Sequence, residues 1–183
     1  MVKVENNTPK LILVSGPTRG GKSKWAENLL KDCTDVVYIA SSESDNSESW
    51  LNRITEHRLR RPSHWNLIEG SIDIIQSINS LTDNTSILID SLGGYIAKFI
   101  NCKQEDWIKI ESKFIKCISN KQSLIVIVIE ETGWGVVPST NLGNIFRDRL
   151  GSCAQKLQEF SDQSWLVIQG RAINLRDISV KVE

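Results

Sequence analysis

Six short stretches of the chain are almost continuously apolar: residues 11–15, 36–40, 65–69, 86–90, 124–130 and 164–169. Runs of this length that do not alternate with polar residues suit strands buried on both faces of a parallel sheet. Between them lie segments of helix length at 22–31, 47–59, 72–81, 92–100, 105–120 and 139–160. This alternation predicts an α/β, doubly wound sheet. Ligands bind such sheets at the carboxyl ends of the strands. The positions of interest therefore follow the apolar runs: 16–23, 41–44, Glu69, Asp90 with Ser91, and 130–138. Residues 1–10 are polar and read as a flexible extension. Residues 11–183 read as one domain, without repeat or linker.

Composition narrows the class. A length of 183 residues fits a single core. Lys plus Arg and Asp plus Glu each number 22, so net charge supplies no general attraction to nucleic acid or to a membrane surface. The longest apolar run, 124–129, is far too short to span a bilayer, and the first ten residues carry no apolar signal segment. Cys33, Cys102, Cys117 and Cys153 are too widely spaced for a metal or redox motif and read as reduced thiols. Together these features predict a cytoplasmic protein with no nucleic-acid partner and no membrane span.

The sharpest motif follows the first apolar run. Gly16, Pro17, Thr18, Arg19, Gly20, Gly21, Lys22 and Ser23 fit G-x-x-x-x-G-K-[ST] at every specified position. Glycines let such a loop curl so that successive N–H groups face phosphate oxygens, and the following helix adds its positive end. Lys22, read as an exposed loop lysine, is expected to reach the β- and γ-phosphates, and Ser23 to ligand Mg²⁺. The chain thus reads as a P-loop enzyme acting on a nucleoside triphosphate. A carboxylate should complete the metal site. The run 86–90 ends in Asp90, the form of a Walker B strand. Asp90 or Ser91 could equally cap the next helix. Glu130 and Glu131 are rivals for the metal or for a base.

Only two histidines occur, His57 and His64, on either side of an arginine cluster at Arg58, Arg60 and Arg61. By composition alone His57 reads as a solvated residue on a polar helix face. The arginines read either as a solvated face or as forks for phosphate. His64, next to Trp65, reads as structural or surface.

Further motifs change the reading of His57. The blocks 11–16 and 19–23, 38–42, Arg53-Ile54, His57, Arg61-Pro62, Trp65, Glu69, 87–92, 131–138 and 146–148 recur in order. R-I-x-x-H-x-x-x-R-P-x-x-W combined with E-x-G-x-G-x-V-P is far more specific than the phosphate loop. The sequence resembles the bifunctional adenosylcobinamide kinase/adenosylcobinamide-phosphate guanylyltransferase family of cobalamin biosynthesis over about residues 11–175. That resemblance implies a RecA-like P-loop NTPase fold, a three-layer sandwich around a mostly parallel sheet. It implies two steps: phosphorylation of adenosylcobinamide by ATP or GTP, then transfer of GMP from GTP through a histidine to give adenosylcobinamide-GDP. It places His57 on the guanylylated histidine and, with Lys22, among the catalytic residues. Gly16 to Ser23, Ala40, Ser41, Ser42, Arg58, Leu59, Arg60, Arg61, Glu69 and Asp90 fall on nucleotide-binding positions. Ser23 and Asp90 fall on the Mg²⁺ site, and the assembly implied is a homotrimer.

Some positions depart from the family pattern. Pro17 removes one backbone donor from the loop. Gly20 stands where a serine is usual, and the segment after Asp90 lacks the usual hydroxyl- and tryptophan-rich stretch. Of six tryptophans, most read as core or contact residues. Trp134, between two glycines, suits a flat substrate face or a subunit contact.

Overall fold

The computed structural model describes residues 10–41, 55, 60–70 and 73–182. Strands β1 (Leu11–Gly16), β2 (Val36–Ala40), β3 (Asn66–Glu69), β4 (Ser86–Asp90), β5 (Ile125–Glu130), β6 (Gln163–Ile168) and β7 (Arg171–Asn174) form one sheet. Its order is β3-β2-β4-β5-β1-β6-β7. All neighbours are parallel except β6 and β7. The helices are α1 (Lys22–Leu29), α2 (Ile74–Ser80), α3 (Leu92–Ala97), α4 (Gln104–Asn120), α5 (Asn141–Gln158) and α6 (Leu175–Ile178).

The non-alternating strand sequences are explained by two cores, one on each face of the sheet. In β1, Leu11 and Leu13 join one core while Ile12 and Val14 join the other. In β5, Ile125, Ile127 and Ile129 divide from Val126 and Val128 in the same way. The first core is closed by α2 to α5, with Ile78, Ile96, Phe114 and Leu157 all fully buried. The second is closed by α1 through Ala26 and by Leu30 just beyond it. Central strands contribute side chains to both cores, so no polar face remains to produce alternation.

Every strand in the apolar pattern is present, with ends shifted by a residue at most. The expectation of burial on both faces fails for β3, where three of four residues are exposed because it is a sheet edge. β7 and α6 were not expected from sequence. β7 has only four residues on the opposite edge, alternating exposed and half-buried, and leaves no apolar run. Of the helix expected at 47–59, only Thr55 falls among the described residues, and it is helical. All but the last residue of the proposed N-terminal extension also lies outside them.

Candidate nucleotide-binding site

Parallel pairing aligns the ends of the strands. Gly16 pairs with Glu130, Asp90 with Val128, and Ala40 with both Asp90 and Glu69. The carboxyl edge therefore presents Glu69, Ala40, Asp90, Glu130 and the loop 16–23 side by side. β5 lies between β1 and β4, so the phosphate loop and Asp90 stand two strand spacings apart, roughly 10 Å.

The loop owes its shape to its glycines and to β6. Gly16 and Gly21 have φ of 149° and 105°, in the region that disfavours side chains. Gly20 N–H donates to Pro17 O at 3.1 Å, and Gly170 N–H donates to Gly20 O at 2.9 Å. A Cβ on Gly20 would lie 2.5 Å from the Val167 carbonyl oxygen. Thus Gly20, where the family usually carries serine, is fitted to the backbone of β6. Gly20→Ser should cost about 1–3 kcal/mol and lower Tm by roughly 2–12 °C in thermal denaturation. An unchanged Tm would mean that β6 yields freely.

Lys22 is not the exposed lysine expected from sequence. It is only 9% exposed, and its Nζ donates to Pro17 O at 2.9 Å. The stem is covered because Lys22 opens α1 directly beneath the loop. Ser23 follows it in the first turn of α1, half-buried.

The cap alternative for Asp90 is resolved by Ser91. Ser91 is the N-cap of α3 and its Oγ accepts from Gly94 N–H at 3.4 Å. Asp90 Oδ2 instead accepts a 2.7 Å hydrogen bond from the Tyr38 hydroxyl. The Tyr38 phenol is pushed far above its ordinary pKa, first by burial and then by the Asp90 carboxylate. Glu130 is committed to protein groups: Oε1 accepts from Ser91 Oγ and Oε2 from Gly93 N–H at 3.0 Å. A Cβ on Gly93 would lie 2.5 Å from Glu130 Oε2, so the carboxylate would have to shift to accommodate one. Glu131 Oε1 accepts from Gly133 N–H at 2.6 Å.

The remaining expected residues divide into three groups. Ala40 and Ser41 lie at the edge, where buried Ser41 ties β2 to β4: its Oγ donates to Ser91 O and accepts from Ser91 N–H at 2.7 Å. Arg60 is turned onto α1, donating Nε and Nη2 to the two Glu27 carboxylate oxygens at 2.9 Å each. This hydrogen-bonded carboxylate holds the Arg60 pKa above its usual value, against the effect of burial. Arg61 lies 4.3 Å over the Tyr38 ring centroid. Ser42, His57, Arg58 and Leu59 are outside the described residues. His64 is exposed, in keeping with a surface role.

Tyr38 and Glu27 were missed by sequence reasoning. Tyr38 is the one polar-tipped residue in the otherwise aliphatic β2, a usable signal. Glu27 gives none, since its partner is 33 residues away. The cysteines are free, and burial pushes the Cys153 thiol up to about 12, which leaves it inert. Trp65 and Trp107 are buried, Trp25 and Trp165 meet edge-on at 5.0 Å, and Trp134 is 61% exposed.

A family model described as cobinamide kinase / cobinamide phosphate guanyltransferase matches residues 12–175. The chain belongs to this family. Its members are transferases, and the mostly parallel seven-stranded sheet with its helices has the fold of a P-loop NTPase. The bifunctional adenosylcobalamin biosynthesis protein CobU of Escherichia coli (strain K12) is 29% identical over 182 residues, covering 91% of this chain and 99% of that protein. Protein CobP of Pseudomonas aeruginosa, with the same description, is 29% identical over 167 residues, covering 90% and 96%. Among solved structures, a prototypical ATPase from the type III secretion system of pathogenic bacteria superposes with a TM-score of 0.53 at 8% identity. The chain covers 59% of that protein's length, and the likeness is one of fold. No helix among the described residues is long and apolar enough to cross a membrane.

Proposed function

We propose that this chain phosphorylates adenosylcobinamide with ATP or GTP and then transfers GMP from GTP, through His57, to give adenosylcobinamide-GDP. The observation that carries this is the phosphate loop facing Asp90 across β5, in a chain matched to the family over residues 12–175. In the first step the substrate hydroxyl oxygen attacks the γ-phosphorus, the bond to the β–γ bridging oxygen breaks, and the hydroxyl proton is lost. In the second, a His57 ring nitrogen attacks the α-phosphorus of GTP and pyrophosphate leaves. The phosphate of the first product then attacks that phosphorus, the N–P bond breaks, and the imidazole is released.

Lys22 would exchange its bond to Pro17 O for the β- and γ-phosphates, neutralising charge where it develops. The residues present fit Mg²⁺: Ser23 lies in the first turn of α1, and Oδ1 of Asp90 is bonded to no other described residue. A bound Mg²⁺ would screen the phosphate oxygens and orient the leaving group. Glu69 stands at the same sheet edge and, with the arginines after His57, would bind nucleotide. The assembly we propose is a cytoplasmic homotrimer with the site near a subunit boundary, which sedimentation equilibrium tests by mass.

The function is tested by intact mass spectrometry after incubation with GTP and Mg²⁺. The chain should gain one GMP and release one pyrophosphate. The adduct should be lost in acid and survive base, as a nitrogen–phosphorus bond does. A chain that never labels and only transfers a γ-phosphate would be a simple kinase.

A further inference from the structure

Asp90 is held by a residue that the nucleotide reading does not use. In the register of β2 and β4, Tyr38 stands opposite Leu88, so Asp90 is its diagonal neighbour on the same face of the sheet. The ring runs along that diagonal and its hydroxyl meets Asp90 Oδ2 at 2.7 Å. The ring has little room to turn. Tyr38 is 4% exposed, packed in the core with Ile12, Val36 and Leu88, and covered on one side by the Arg61 guanidinium. A phenylalanine would fill the same space. The hydroxyl therefore adds nothing to packing, and burying it is costly unless it is paired. Its partner is the strand-end carboxylate, and it occupies one oxygen only.

We propose that Tyr38 is a positioning residue: its hydroxyl fixes Oδ2 of Asp90 so that Oδ1 is the oxygen offered to the Mg²⁺ of the bound nucleotide. The inference rests on the reading of Asp90 as a metal ligand. Outer partners of this kind fix the orientation of the ligating group and are worth about 10- to 100-fold in metal affinity. A second feature supports the role. The Arg61 that covers the ring follows Arg60, which is clamped on Glu27 of α1, the helix that opens with Lys22 and Ser23. The tyrosine is thus braced from the same helix that would supply the other metal ligand.

The test is GTP binding by calorimetry, with GTP supplied as its α,β-methylene analogue, which cannot pass GMP to His57, in EDTA and across a Mg²⁺ titration, for the wild type, Tyr38→Phe and Asp90→Asn. Neither product formation nor a corrinoid is needed. The wild type should bind GTP more tightly as Mg²⁺ rises, and Asp90→Asn should lose that strengthening. Tyr38→Phe should match the wild type in EDTA but need about 10-fold more Mg²⁺ for half the effect. Its melting curve checks that the fold is kept. If Tyr38→Phe titrates like the wild type while Asp90→Asn is defective, the positioning role is wrong and the metal site stands. If Asp90→Asn also titrates like the wild type, Asp90 is not the ligand, and both readings fall.

Discussion

Lys22→Met should abolish both transfers, lowering GTP turnover by about 10²- to 10³-fold or more, with the fold intact. Methionine keeps the length and apolar body of the stem and removes only the ammonium. That choice matters because Lys22 is 9% exposed, and its Nζ holds Pro17 O at 2.9 Å. Both variants lose the Nζ bond to Pro17 O, which keeps its bond from Gly20 N–H. Lys22→Ala would also empty the space under the loop, adding about 2–5 kcal/mol of destabilisation to the catalytic loss. A fall in activity for alanine alone would therefore be ambiguous. The methionine variant separates the two effects: a melting temperature near the wild type with no GMP labelling and no γ-phosphate transfer is the expected pair. Both transfers should fail together, because one loop binds the triphosphate whether the α- or the γ-phosphorus is attacked. Wild-type turnover of GTP by Lys22→Met would overturn the assignment of 16–23 as the phosphate loop.

The frame of the molecule was legible in the sequence because central parallel strands are apolar throughout. The run Ser86–Asp90 shows this: four buried residues and then a carboxylate at the edge. What the runs do not encode is their order. That β5 is inserted between β1 and β4 depends on pairings such as Leu11 with Ile125 and Ile87 with Ile125, which link distant segments. The edge strands were harder, since β3 and β7 are largely exposed and need no continuous apolar face. At the site, the loop was readable because its shape is local. The commitments of the carboxylates were not. Glu130 looked like a rival metal ligand until β5 and α3 brought it against Ser91 and Gly93, 39 and 37 residues away in sequence. Arg60 looked like a phosphate fork, and its bidentate partner in the fold is Glu27. Gly20 looked like a lost serine, whereas the nearby Val167 carbonyl leaves no room for a side chain.

His57→Ala should make no GMP adduct and no adenosylcobinamide-GDP. The proposed carrier must be a nucleophile that is uncharged near neutral pH, and an imidazole with a reference pKa of about 6.5 meets that need. Without it, GTP has no protein atom to which GMP can pass, so the loss should be complete within detection. Phosphorylation of adenosylcobinamide should persist in the same variant, because transfer of a γ-phosphate to a hydroxyl requires no covalent carrier. This split between activities is the informative feature. A collapsed fold would remove both, and a failed phosphate loop would also remove both, as Lys22→Met should. The chain carries its own control in His64, the only other histidine, which is exposed. His64→Ala should label like the wild type, with the same loss in acid and survival in base. Normal labelling of His57→Ala would place the GMP elsewhere, and loss of labelling in His64→Ala alone would move the carrier to the other side of the arginine cluster.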